Sequence, residues 1–192
     1  MGKETKNVIV SLFDFDSIKR IAILGDGGVG KTTLIKRLAE NNSHPATADE
    51  LLSVGRTSFI SFETFKIDET KIVSIDIAGQ DGSGHPLKIL AEFCLRNNDV
   101  LIFAFALNRF NSLLNLEKWF LQVKKFYLSV NLPVPNIILV GTKLDSVSSI
   151  DYTLVRQVLQ NVPEMVDFVP VSALDGRGIS GLKKLILNQL LG

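Results

Sequence analysis

Gly25-Asp26-Gly27-Gly28-Val29-Gly30-Lys31-Thr32-Thr33 constrains this chain more than any other stretch of it. The segment before it, Ile18 to Leu24, is short and mostly apolar and reads as a strand. The segment after it, Thr33 to Asn41, puts Leu34, Ile35 and Leu38 on one face and reads as an amphipathic helix. A strand, a glycine-rich turn and a helix opening on Gly-Lys-Thr form the setting in which backbone wraps a phosphate. Glycines let successive N–H groups turn inward towards an anion. The helix start adds unpaired amides and the positive end of its dipole. Lys31 then reaches the outer phosphates, and the Thr32 hydroxyl is placed to ligate Mg²⁺. The competing reading is a glycine-rich turn that binds nothing, and the agreement of motif with context weighs against it.

The 192 residues, 46% apolar and 21% charged, suit one globular domain with a sizeable core. A formal charge of +1 gives no electrostatic reason to expect nucleic acid or an anionic membrane as the main partner. The single cysteine, Cys94, cannot pair within the chain and sits among Leu90, Ala91, Phe93 and Leu95, where a buried thiol is expected. No apolar run has the length of a membrane span. No secretion signal opens the sequence; Met1-Gly2 is followed by Lys6 where myristoylation wants Ser or Thr, and the last residues hold no prenylatable cysteine. The expectation is a cytoplasmic protein without a stable lipid anchor.

Residues 1–17 read as an N-terminal extension, an extra edge strand or docked segment, ahead of one domain over 18–192. Asn41 to Pro45 stops the first helix, and a polar stretch runs on to Arg56. Thr57 to Phe65 alternates and is aromatic-rich, Asp68-Glu69 is a turn, and Lys71 to Ile77 returns as the next strand. Ala78 to Pro86 is a glycine- and proline-punctuated loop, followed by a helix from Leu87 to Arg96. Asp99 to Leu107 is apolar almost throughout, as a strand covered on both faces should be. Phe110 to Val130 reads as one long helix burying Leu113, Leu116, Phe120, Val123 and Tyr127, with Trp119 flanking the stripe in a packing role. Strands at 136–140 and 166–171 and helices at 153–160 and 179–190 complete the chain. The alternation predicts an α/β fold: a mostly parallel sheet with helices on both faces and one antiparallel edge made by the hairpin at Asp68.

Three later places add chemistry. Asp76, at the carboxyl end of a strand, can hold a Mg²⁺-bound water; Gly79 can offer its N–H to a γ-phosphate, and Gln80 can orient an attacking water. Thr142-Lys143-Leu144-Asp145 follows another strand. The Asp145 carboxylate can accept both N1–H and the 2-amino group of guanine, a donor pair that adenine lacks. Lys143 would lie along the base and Thr142 would fix the loop. After the next strand, Ser172-Ala173-Leu174 can present the Ala173 N–H to the guanine carbonyl.

In this order and spacing, the phosphate loop, Asp76-Ile77-Ala78-Gly79-Gln80, Thr142-Lys143-Leu144-Asp145 and Ser172-Ala173-Leu174 resemble a Ras-superfamily small GTPase over residues 18–190. The resemblance implies a phosphate-loop NTPase fold with six strands, GTP and GDP as ligands, Mg²⁺, and two loops that respond to the γ-phosphate. It also implies a threonine in the first of those loops that meets Mg²⁺. Thr47 and Thr57 are the candidates, with Thr57 preferred for a spacing similar to Arf-like members. Arg56-Thr57-x-Phe59-x-x-Phe62 is also similar to the bacterial and archaeal polarity-switch GTPases, many of which lack the aspartate found here at Asp76. Gly27 stands where the family keeps a small residue beside the glutamine.

These expectations assign catalytic roles to Gln80, Lys31 and Thr57, metal ligation to Thr32, Thr57 and Asp76, and nucleotide binding to residues 25–33, Gly79, 142–143, Asp145 and 172–174. Effectors, an exchange factor and an activating protein are expected at residues 42–62 and 78–90, on a monomer, with a dimer left open. No arginine has the family's known in-cis finger placement, so slow, activator-dependent GTP hydrolysis is expected. Rival readings are a nucleotide-locked scaffold, an RNA-associated assembly GTPase and an ATPase. His44 and His85 read as exposed loop residues.

Overall fold

The computed structural model describes residues 18–40, 47–55, 57–79 and 91–192. The expected extension at 1–17, both histidines, Arg56 and Gln80 lie outside them, as does most of the loop that Gln80 opens. Among the described residues the six strands are β1 (Ile18–Leu24), β2 (Ile60–Ile67), β3 (Thr70–Ile77), β4 (Val100–Ala106), β5 (Asn136–Thr142) and β6 (Met165–Pro170). They form one mixed sheet in the order β2-β3-β1-β4-β5-β6. Only β2 and β3 run antiparallel; β3, β1, β4, β5 and β6 are parallel neighbours. This is the fold the strand–helix alternation predicts.

Side-chain parity divides the core. Along β1, Ile21 and Ile23 face one side and Ala22 and Leu24 the other, all fully buried. β4 is buried at every position, which a strand at the middle of a doubly covered sheet requires. The first face is covered by α1 (Lys31–Ala39), whose Leu34, Ile35 and Leu38 are buried, and by the last helix, Ile179–Leu191, through Leu182 and Ile186. Ile72, Ser74 and Asp76 share a parity on β3, and Ile72 packs into the core of that face, so Asp76 is carried on the side of the sheet that α1 covers. Leu113, Leu116, Phe120, Val123 and Tyr127 pack with Phe103, Leu101 and Ile75 on the opposite face. Each fully buried side chain of this kind contributes about 1.5–3 kcal/mol of transfer free energy, so the sheet gives the loops at its carboxyl edge a rigid base.

Several boundaries differ from the sequence expectation. The supposed polar stretch before Arg56 holds a short helix, α2 (Ala48–Leu52), started by a capping box: the Glu50 amide donates to the Thr47 hydroxyl and the Thr47 amide to the Glu50 carboxylate. β2 begins at Ile60 rather than Thr57, because Thr57 is held at the phosphate loop by Thr32 and Asp76 before the ladder with β3 starts. α3 is Ala91–Leu95. The long helix expected from Phe110 divides into α4 (Asn111–Leu114) and α5 (Leu116–Ser129), with Asn115 as the junction. Two more helices, α6 (Tyr152–Asn161) and α7 (Ile179–Leu191), follow.

Cys94 on α3 is fully buried, and burial pushes its thiol up to about 11. The native protein is therefore expected to resist iodoacetamide at neutral pH and to react fully once unfolded in guanidinium. Alkylation of the folded protein at the rate of a free thiol would contradict this burial. Among the described residues, no helix is long and apolar enough to cross a membrane.

Candidate nucleotide site

The loop 25–30 leaves the carboxyl end of β1 and opens α1. Gly25 has a φ of +138° and lies so close to Ala104 that a Cβ there would collide with its carbonyl, so only glycine allows the chain to pass beside β4. Lys31 turns back under the loop and donates to the Gly25 and Asp26 carbonyls at 2.8 and 3.0 Å. Burial pushes its amine down to about 8, against the opposing pull of the Asp76 and Asp26 carboxylates. An ammonium held in a buried cradle with so little counter-charge in contact is poised for an anion.

Three oxygen-bearing side chains, expected from sequence as metal ligands, come together at the foot of the loop. The Thr57 hydroxyl donates to Asp76 Oδ2 at 2.7 Å, the Thr32 hydroxyl also bonds to Oδ2, and the two hydroxyls are 2.8 Å apart. Asp76 is almost fully buried, and its other oxygen, Oδ1, has no hydrogen-bond partner among the described residues. An unpartnered buried carboxylate oxygen is costly. One carboxylate, two hydroxyls and an adjacent phosphate site suit Mg²⁺, which binds through few carboxylates and completes its shell with substrate phosphates. Thr47, the other candidate, spends its hydroxyl on the α2 cap.

Gly79 closes the loop from above. Its carbonyl accepts the Gly27 amide, and a Cβ at Gly79 would lie under 3.0 Å from backbone atoms of Gly25, Asp26 and Gly27. Gly27 and Gly28 line the same wall.

The second end of the site grows from β5 and β6. Thr142 hydrogen-bonds through Oγ1 to the carbonyl of Val29, a fully buried loop residue, and at 2.9 Å to that of Phe105, tying β5 to the phosphate loop. Lys143 adopts a left-handed backbone that turns the chain into a 3₁₀ turn at Leu144–Ser146. Asp145 is held from two sides: the Ser172 hydroxyl donates to Oδ1 at 2.7 Å and the Ser146 hydroxyl to Oδ2 at 2.8 Å. Partial burial works to raise its pKa, but these hydroxyls outweigh it and keep the carboxyl below its usual range. Leu144 N–H bonds to the Val171 carbonyl, and Arg37 of α1 to the Leu174 carbonyl, so residues 171–174 are braced against both neighbours.

One cavity of about 540 Å³ joins the two ends. Gly27, Gly28, Gly30, Lys31, Thr32 and Thr33 line it on one side, Thr142, Lys143, Asp145, Ala173 and Leu174 on the other, with Leu51, Val54 and Thr57 forming a wall. That size and this mixture of backbone donors, one ammonium and one carboxylate match a small-molecule site. Gln80 lies outside the described residues.

Three residues around the loop escaped the sequence reading. The Asp26 carboxylate accepts Asn115 Nδ2 at 2.8 Å and Trp119 Nε1 at 3.1 Å, so this loop residue is anchored to α5. The signal was available: Asn115 and Trp119 are four apart on one helix face, and a buried indole N–H needs an acceptor. The Arg109 guanidinium, from the turn after β4, donates through Nη2 to the Gly27 carbonyl at 2.8 Å. No spacing rule announces that contact.

Comparison with known proteins adds a family signal. Residues 20–191 match the model of the Ras family. The chain is 27% identical to the Ras-related protein Rab-11B of Dictyostelium discoideum, over 90% of this chain and 73% of that protein. It is 29% identical to the Rho-related protein racM of the same organism, over 66% of this chain and 61% of the relative. It is 26% identical to the GTPase Era of Aquifex aeolicus, over 88% of this chain but 56% of that protein.

Proposed function

Because the chain belongs to the Ras family of small GTPases, we propose that it binds GTP and GDP with Mg²⁺ and hydrolyses GTP as a conformational switch for protein partners. Family membership implies guanine-nucleotide binding, and Ras-family GTPases hydrolyse GTP and act with regulators and effectors. The observation that carries the reading is the pairing in one cavity of a phosphate cradle around Lys31 with the braced carboxylate of Asp145. An anion-binding end around Lys31 and a carboxylate end at Asp145 in one cavity support a guanine nucleotide as the ligand.

In this reading the loop amides and Lys31 hold the β- and γ-phosphates, and Thr32, Thr57 and Asp76 would hold Mg²⁺. The metal, when bound, would neutralise phosphate charge. Phosphoryl transfer is mainly a matter of positioning and charge neutralisation. Gly79 contributes its backbone N–H at the γ-phosphate, and Gln80 orients the attacking water. Asp145 accepts the guanine N–H donors, Lys143 lines the base, and Ala173 N–H reaches its carbonyl. Loss of the γ-phosphate would release Thr57 and Gly79, and with them the segments 42–62 and 78–90 that we assign to effectors and regulators. Exposed Phe59 and Phe62 on the β2 side provide apolar anchors for such contacts.

The test compares GTP with ATP binding, then measures single-turnover hydrolysis for wild type beside Gln80→Leu. GTP should bind far more tightly than ATP, and Gln80→Leu should retain GTP yet lose most of its hydrolysis. Tighter ATP binding would overturn the nucleotide assignment, and equal rates would remove Gln80 from the mechanism.

A further inference from the structure

Arg109 stands in an unusual place for a cation. It follows β4, and its backbone is fixed by the turn: Arg109 N–H bonds to the Ala106 carbonyl at 2.9 Å, while its own carbonyl accepts the Ser112 amide and hydroxyl at 2.9 and 2.6 Å. Ser112 is fully buried, so the anchor of this turn belongs to the core. From that base the side chain reaches across to the phosphate loop. Nη2 bonds to the Gly27 carbonyl, and Nη1 lies 3.9 Å from the position a Cβ on Gly28 would take.

The setting makes this more than a loop brace. A guanidinium carries five N–H donors, and the bond to Gly27 uses one. Arg109 also makes no ion pair with a described carboxylate, whereas Arg37, Arg96 and Arg177 each do. The Asp26 carboxylate, beside it in the loop, is committed to Asn115 and Trp119. Its charge is felt at Lys31, whose protonation it opposes, though less strongly than burial does. Gly27 is also the residue whose amide meets Gly79, so the guanidinium rests on the corner where the loop and the γ-phosphate-sensing segment touch. An exposed arginine on that corner, without an ion pair among the described residues, suits an anion.

We propose that Arg109 is an arginine finger supplied within the chain, moving from the Gly27 carbonyl onto the γ-phosphoryl oxygens as GTP is hydrolysed. The proposal rests on the GTPase reading above and deepens it. In the step itself, the water oxygen forms the new bond to γ-phosphorus. The bond to the β–γ bridging oxygen breaks with its electron pair going to GDP, and the water proton leaves with the products. Arg109 gains and loses no proton; it neutralises charge on the bridging and γ-oxygens, where charge accumulates in the transition state. Such an arginine raises unassisted hydrolysis, so the slow, partner-dependent turnover expected from sequence is replaced by a faster intrinsic rate. The gap between a GTPase with its arginine in cis and one without is about 30-fold.

The experiment uses the full chain and no second protein. GTP and GDP affinities, single-turnover GTP hydrolysis, and fluoroaluminate capture by the GDP form are measured for wild type, Arg109→Ala and Arg109→Lys. Arg109→Ala should hydrolyse about 30-fold more slowly, with both affinities unchanged, and should fail to capture fluoroaluminate, which the wild type captures alone. Arg109→Lys, with the charge but not the planar fork, should fall between them. Hydrolysis by Arg109→Ala at the wild-type rate would overturn the proposal. So would an equal loss of GTP and GDP affinity, which marks a brace for the loop and nothing more. Failure of the wild type to capture fluoroaluminate would overturn it as well. If the wild type binds no guanine nucleotide, the GTPase reading itself fails and this proposal falls with it, an outcome distinct from the others.

Discussion

An Asp145→Ala variant is expected to bind GTP about 10²–10⁴-fold more weakly than the wild type, while its weak affinity for ATP stays unchanged. Each hydrogen bond to a charged acceptor contributes about 1.5–3 kcal/mol, two are at stake with guanine, and about 1.4 kcal/mol is tenfold in affinity. Ser172 and Ser146 keep the carboxylate ionised and aimed, each occupying one oxygen from outside while leaving lone pairs free for a base. Adenine presents an acceptor where guanine presents N1–H, so it gains nothing from Asp145 and loses nothing when it goes. Competition binding with GTP and ATP on both proteins checks the selectivity ratio. An unchanged GTP affinity would mean that the base lies elsewhere.

Gly79→Ala is the second large effect. Its added methyl has no room: the atoms it would strike are backbone of Gly25, Asp26 and Gly27, which cannot rotate aside as a side chain could. The loop after β3 must retreat, and the Gly27–Gly79 bond is lost with it. GDP, which needs the phosphate loop and the guanine end only, should bind with near wild-type affinity. GTP hydrolysis should fall by about 10²-fold or more, the cost of displacing a reacting constellation by about 1 Å. Single-turnover hydrolysis and GDP affinity, measured side by side, test this. A wild-type rate in Gly79→Ala would show that the segment does not pack on the loop during the reaction.

The legible parts of this protein are those whose physics is local. The order of strands and helices follows from periodicity, and β1, the hairpin turn at Asp68 and α7 fall within a residue or two of expectation. α2 is legible too: Thr47-x-x-Glu50 is a capping box in a stretch that otherwise looks polar and unstructured. The break at Asn115 was hidden because the apolar stripe of the 110–130 segment continues across it. The reason for the stripe is burial against β4, which a junction between two helices preserves as well as one helix does.

The sequence by itself determined a phosphate loop between a strand and a helix, a carboxylate at the end of β3, and the motif at 142–145. Each rests on residue type and spacing over a few positions, where backbone geometry is set by near neighbours. Only the tertiary structure decided what these meet. Thr57 reaches Thr32 across 25 positions of chain and Asp26 reaches Trp119 across 93, and neither distance is encoded in any local pattern. Thr47 and Thr57 look alike in sequence; one caps a helix and the other hydrogen-bonds to Asp76, because parity along β3 carries Asp76 to the α1 side of the sheet. Arg109 lands on Gly27 for the same kind of reason. The sheet places β4 beside β1, and the turns that leave their carboxyl ends become neighbours in space while remaining far apart along the chain.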